Sequence, residues 1–244
     1  VPDVRNRAWC RNPIDAFVLA RLEKDGLSPS PEADTLTRLR RLSLDLIGLP
    51  PTIAEADAAL AESGPDADAN RVARLLDAPA YGERWGRIWL DAARYADSDG
   101  YEKDKLRQVW SYRDWVIRSF NDDLPYDRFV TLQLAGDLLA KDDRDGLFAA
   151  GFNRCGPIHL VSGNVDAAEV RQEFLTEITG GVGGAFLGLT MTCARCHDHK
   201  FDPIPTRDYY RLEAFFSAAK PTEVDLGGDA EREHHDHRGR QPVA

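Results

Sequence analysis

The stretch Leu36-Thr37-Arg38-Leu39-Arg40-Arg41-Leu42-Ser43-Leu44-Asp45-Leu46-Ile47-Gly48-Leu49-Pro50-Pro51 reads as a helix with its stop attached. Leu36, Leu39, Leu42, Leu46 and Ile47 recur at three- and four-residue spacing, which places them on one stripe of a 3.6-residue helix. Gly48 and the proline pair end it. The same period continues on both sides. Towards the amino end, Asn12-Pro13-Ile14-Asp15 opens a helix with proline in its first turn, Ile14, Phe17, Val18 and Leu22 as its stripe and Gly26 as its stop. Towards the carboxyl end, Thr52-Ile53-Ala54-Glu55 has the form of a capping box. Helical patterns follow over 70–78, 81–96, 109–120, 125–139, 167–179 and 207–218. Loops rich in Gly, Pro, Asn and Asp at 61–69 and 153–166, and a polar turn at 141–146, separate them. Strand-like alternation is scarce. The expected fold is mainly α, an irregular multi-helix domain with long loops.

The chain has 244 residues, enough to bury a sizeable core. We expect a single helical domain over 1–220 and, over 221–244, a linker or disordered tail that is His-rich between Glu231 and Arg240. Its net charge of -10 argues against a non-specific nucleic-acid binder, which needs an excess of Lys and Arg, and is compatible with a basic redox partner. The Arg38-Leu39-Arg40-Arg41 cluster is read as one solvated helix face. Apolar runs such as Ile14 to Leu22 and Val182 to Leu189 are too short to span a bilayer, so no transmembrane segment is expected. The amino end, Val1-Pro2-Asp3-Val4-Arg5, lacks an initiator Met and a charged-then-apolar leader, which suggests a mature or excised piece of a longer protein.

Chemistry concentrates in Thr190-Met191-Thr192-Cys193-Ala194-Arg195-Cys196-His197-Asp198-His199-Lys200-Phe201-Asp202-Pro203. Cys193, Cys196 and His197 have the C-x-x-C-H spacing of covalent haem c attachment: two thiols for the porphyrin vinyl groups, then an imidazole for the iron. Two other readings share these residues. Zinc would take Cys193, Cys196 and His199, with His159 or the His234-His235-Asp236-His237 tract as a fourth ligand. A redox dithiol would want a strand before the first cysteine, and nothing upstream reads as βαβ. The remaining cysteines, Cys10 and Cys155, are open between a disulfide and buried free thiols.

Two further clusters have a functional and a structural reading. Asp97-Ser98-Asp99-Gly100-Tyr101-Glu102-Lys103-Asp104 sets oxygen ligands around a sharp turn and would suit Ca²⁺, although Tyr95 stands where an EF-hand loop has its first Asp and no terminal Glu follows. A solvated or salt-bridged acidic turn is the preferred reading. Trp85, Trp89, Trp110 and Trp115 fit an aromatic core better than a haem wall or a sugar platform. The run Gly180-Gly181-Val182-Gly183-Gly184 lets backbone approach closely, either a neighbouring helix or a porphyrin face.

Several stretches together carry a family resemblance: Asn12 to Val18, Arg41 to Pro51, Tyr81-Gly82-Glu83-Arg84-Trp85, Arg94 to Tyr101 and Cys193 to Pro203. In that order, from about Asn12 to Phe216, they resemble the planctomycete cytochrome c-associated domain. The resemblance implies a section of a large exported protein, periplasmic or extracellular, whose partners are the adjoining domains of the longer chain and a redox partner. Carried over by position, Cys193 and Cys196 take the thioether roles and His197 that of proximal ligand. It implies no distal ligand. Met191 and His199 are tethered too tightly to reach the opposite face of the same iron, which leaves His159 as first choice, ahead of the tail histidines. The expected function is therefore a mono-haem c-type cytochrome domain for electron transfer. The alternatives are a haem- or metal-dependent enzyme acting on an extracellular polymer, which an iron without a distal ligand would favour, and a zinc-binding structural module.

Overall fold

The computed structural model describes residues 1–62, 64–101, 103–139, 144–158 and 166–222. The chain is mainly helical, and no strand occurs among the described residues. It divides into two compact units, Val1–Tyr81 and Gly82–Ala244, where the sequence is read as one helical domain over 1–220. From residue 223 onward the expected tail lies outside the described residues.

The first unit contains α1 (Pro13–Lys24), α2 (Thr35–Leu46), α3 (Ile53–Ala61) and α4 (Ala67–Leu76). The expected start signals operate. Asn12 and Asp15 form a reciprocal capping box on α1, and Thr52 and Glu55 form one on α3. Gly26 and Gly48 take left-handed backbone at φ 70 and 73 just beyond α1 and α2, the conformation that lets the chain turn out of a helix. Periodicity does not identify which side of α1 is buried: Ala16 and Leu19 are, while Ile14, Phe17 and Val18 are exposed. α4 begins three residues earlier than the pattern over 70–78 suggests. Its Arg71 is 3% exposed, donates to the carbonyls of Ala59 at 3.0 Å and Glu62 at 3.1 Å, and pairs with Asp68 at 2.5 Å.

The second unit contains α6 (Trp110–Asn121), α7 (Tyr126–Leu139), α8 (Arg144–Ala149), α9 (Ala167–Leu187) and α10 (Thr206–Phe215); α5 (Pro79–Ala92) leads into it. Part of the expected polar turn is therefore the short helix α8. α5 stops at Ala92 instead of reaching 96 because Arg94 adopts φ 61 and Tyr95 N–H donates back to Leu90 O at 2.9 Å. That residue fills the slot usually held by glycine, at a cost on the order of 1 kcal/mol. Its guanidinium offsets the cost by bonding the Glu177 carboxylate at 2.5 Å and the Glu177 carbonyl at 2.7 Å.

The aromatic reading of the tryptophans holds for the core. Trp115 stacks on Phe129 with centroids 5.3 Å apart, and Trp89 meets Phe129 edge-on at 4.9 Å. Their polar atoms converge on buried Gln133. Its Oε1 accepts from Trp89 Nε1 at 2.8 Å and Tyr112 Oη at 2.7 Å, and its Nε2 donates to Phe129 O at 3.0 Å. A buried amide satisfied this way specifies its neighbours' positions.

The glycine run differs most from expectation. It does not end a helix at Thr179 but lies inside the 21-residue α9. A Cβ at Gly181 would meet the Arg94 guanidinium, and one at Gly183 would meet Met191 Cγ and Sδ at 2.8 and 2.9 Å, whereas one at Gly184 would meet nothing within 4 Å. These contacts predict opposite outcomes on a single helix. Gly181→Ala should lower stability by about 1–3 kcal/mol by pushing the Arg94 guanidinium off the Glu177 carboxylate and carbonyl. Gly184→Ala should raise it by about 0.5–1 kcal/mol through helix propensity alone, both read by thermal or urea unfolding.

Candidate functional site

The cysteine segment follows directly from the end of α9, where Gly188 is left-handed at φ 65. Met191–Arg195 forms a 3₁₀ turn, closed by Cys196 N–H donating to Cys193 O at 3.4 Å. Side chains three residues apart in a 3₁₀ helix lie above one another. This register sorts the segment by face. Met191 and Ala194 share the buried face and pack with Ile204 and Tyr209, while Cys193 and Cys196 share an exposed one as free thiols. With its thioether filling the space left open at Gly183, Met191 points away from the thiol side.

The two histidines after the thiols are prepared differently. Exposed His197 has Nδ1 2.9 Å from the carbonyl oxygen of Asp198. A carbonyl can only accept, so Nδ1 carries a proton, and in the neutral ring the lone pair is on Nε2. A carbonyl holding the far nitrogen is the usual support of a metal-ligating imidazole. His199 is the reverse. Its Nδ1 accepts the backbone N–H of Asp202 at 2.9 Å and of Phe201 at 3.4 Å, and its side chain is only 10% exposed. The Asp202 carboxylate lies farther away, at 3.2 Å. The nearer amide must donate, which leaves the neutral ring's proton on Nε2. With His199 N–H also donating to Ile204 O at 2.9 Å, this residue folds the following loop back on itself.

Three contacts fasten the turn to the helices. The Arg195 guanidinium grips both Glu173 oxygens on α9, at 2.6 and 3.2 Å; this bond raises the Arg195 pKa above its ordinary value. Tyr210 Oη on α10 donates to Arg195 O at 3.0 Å, and Asp198 Oδ1 accepts Thr206 N–H at 2.8 Å at the start of α10. Beneath them Tyr209 is fully buried, and burial pushes its hydroxyl pKa up. None of these partners is signalled by the cysteine spacing. Arg195 occupies an unspecified position of the motif, and Glu173 lies 22 residues earlier in sequence.

The other expected sites are resolved in part. Among the described residues no three His, Cys, Asp or Glu side chains come together as a metal site, so Cys193, Cys196 and His199 are not arranged as a zinc ligand set. Cys10 and Cys155 are both free; burial pushes the Cys155 thiol up to about 12, and it donates to Gly151 O at 3.4 Å. In the acidic turn, buried Asp99 lies 3.6 Å from Arg107 Nε, Asp97 accepts from Tyr95 Oη at 2.5 Å, and Asp104 accepts from Gly100 N–H at 2.9 Å. Its carboxylates serve protein donors, as the salt-bridged reading expects; Glu102 lies outside the described residues. His159, the expected distal ligand, also lies outside them, as do His234, His235 and His237. Among the described residues no helix is long and apolar enough to cross a membrane.

The contrasting histidines predict contrasting variants of the haem-free chain. His199→Ala should cost about 1–3 kcal/mol by removing the acceptor of two loop amides. His197→Ala should stay within about 0.5 kcal/mol of the parent, as an exposed substitution does, both measured by thermal unfolding.

No curated protein matches this chain, and no solved structure does. Residues 13–221 match the model of the family described as PSCyt2, protein of unknown function (DUF1549), and the chain belongs to that family.

Proposed function

We propose that the chain is a mono-haem c-type cytochrome domain, exported to the periplasm or beyond, that serves electron transfer within a larger multidomain protein. Cys193 and Cys196 would carry the thioether bonds and His197 would be the proximal ligand. The observation that carries this reading is the cysteine segment itself: Cys193 and Cys196 are exposed free thiols, and the next residue, His197, is exposed with its Nδ1 set against the Asp198 carbonyl, which leaves the lone pair of the neutral ring on Nε2. The segments flanking the turn also expose large apolar side chains at Leu187, Phe201 and Tyr210, surface of the kind a porphyrin covers.

Bound there, haem would supply one-electron chemistry, with its potential set by axial ligation, burial and nearby charge. The chain's own residues have simpler tasks. Asp198 O fixes the tautomer and plane of His197. Met191 and Ala194 anchor the turn in the protein, and Arg195, Tyr210 and Asp198 hold it between α9 and α10. The adjoining domains of the longer chain and a redox partner would exchange the electrons, and the net charge of -10 suits a basic partner. Covalent attachment requires export and ligation machinery, which is the basis for the proposed location.

Protein from a haem-ligating periplasmic host should show a sharp reduced α-band and a one-haem increase in intact mass. Both should be lost in the Cys193→Ala/Cys196→Ala variant. A colourless product of unmodified mass from a host that matures another c-type cytochrome would overturn the proposal.

A further inference from the structure

Arg195 stands between the two cysteines in sequence, yet its positive charge does not face solvent alone. Its guanidinium is bound through two nitrogens by the Glu173 carboxylate, at 2.6 and 3.2 Å, and the side chains are 28% and 24% exposed. Such a fork-on-fork contact is the strong form of the Arg–carboxylate pair, and partial burial weakens its screening by salt. The 3₁₀ register gives it direction. Thr192 and Arg195 share the third side of the turn, next to α9, where a Cβ at Gly180 would approach Thr192 Oγ1 to 3.2 Å. The one cation inside the cysteine motif is thereby drawn to α9 and neutralised. The Tyr210 bond to Arg195 O holds the backbone of the same residue from the other side.

We infer that Glu173 is the positioning residue that sets the electrostatic potential at the Cys193–Cys196 face, by neutralising Arg195 and holding it against α9. For the redox consequence this rests on the proposed haem attachment; for the local potential it does not. Reduction of a ferric haem removes one positive charge. Removing the negative charge of Glu173 beside it would favour the reduced form, and removing the positive charge of Arg195 the oxidised form. The pair therefore acts as a charge balance that either single substitution would tip, in opposite directions.

The test is a charge cycle on the full chain, with Glu173→Gln, Arg195→Gln and the double variant. In haem-loaded protein the midpoint potential should rise in Glu173→Gln, fall in Arg195→Gln and return close to the parent value in the double variant. A loss of structure alone would not give opposite signs that cancel. In haem-free protein, Cys193 and Cys196 are modified with anionic and cationic methanethiosulfonate reagents, and the ratio of the two rates reports local potential independently of thiol reactivity. The anionic-to-cationic ratio should rise about fivefold in Glu173→Gln and fall by a similar factor in Arg195→Gln, the scale expected for one unit charge nearby at intermediate dielectric. If Glu173→Gln does not fold, Arg195→Gln and Arg195→Lys decide the matter: the ratio falls in the first and holds in the second. Unchanged ratios and potentials, or shifts of the same sign in both single variants, would overturn the inference. Failure to load haem would count against the proposed function, while the reagent ratio still reads the charge pairing.

Discussion

The second unit depends on how closely other side chains approach the backbone of α9. Gly181 and Gly183 lack the Cβ that would collide with Arg94 and Met191, and the helix pays for those glycines in propensity. In return Arg94 crosses the helix face to bond Glu177, which ties the end of α5 to α9. Met191 lies against Gly183 and is buried there. One helix thereby fixes two loops.

The orientation of the cysteines follows from the second of these contacts. Once Met191 is buried, a turn of three residues per repeat must bury Ala194 with it and bring Cys193 and Cys196 to a different face. The thiols are exposed because their neighbours are anchored. The same geometry removes Met191 from the set of groups able to reach the thiol side, and the loop after His197 uses His199 for its own closure. Of the two histidines that follow the thiols, His197 is the exposed one and sets its Nδ1 against a carbonyl.

Arginine performs the stapling that a sheet would otherwise provide. A helical chain with long irregular connections buries backbone carbonyls that no ladder satisfies. Arg71 supplies donors to Ala59 and Glu62, Arg94 to Glu177, and Arg107 to Arg154 and Gly156, the last two at 2.9 Å. The planar guanidinium has five N–H donors and can serve a carbonyl and a carboxylate at once. Asp68, Glu177 and Asp99 accompany these arginines as ion-pair partners. Within the acidic turn, Asp99 takes part in this stapling through Arg107.

Local interactions made much of this legible in the sequence. A capping box, a helix stop and a 3.6-residue period act within a few residues, so the boxes at Asn12 and Thr52, the stops at Gly26 and Gly48 and the helical class could be read directly. The C-x-x-C-H spacing is local too, and it singled out the cysteine segment. Contacts between distant residues decided the rest. Whether Gly180 to Gly184 ends a helix or continues one depends on Arg94 and Met191 filling the space beside it. Which face of α1 is buried and where the Arg195 charge goes depend likewise on partners that spacing does not encode. Sequence alone determined the helical class and the cysteine segment; tertiary packing decided the direction in which that segment faces, because a side chain's surroundings are set by whichever distant elements meet it.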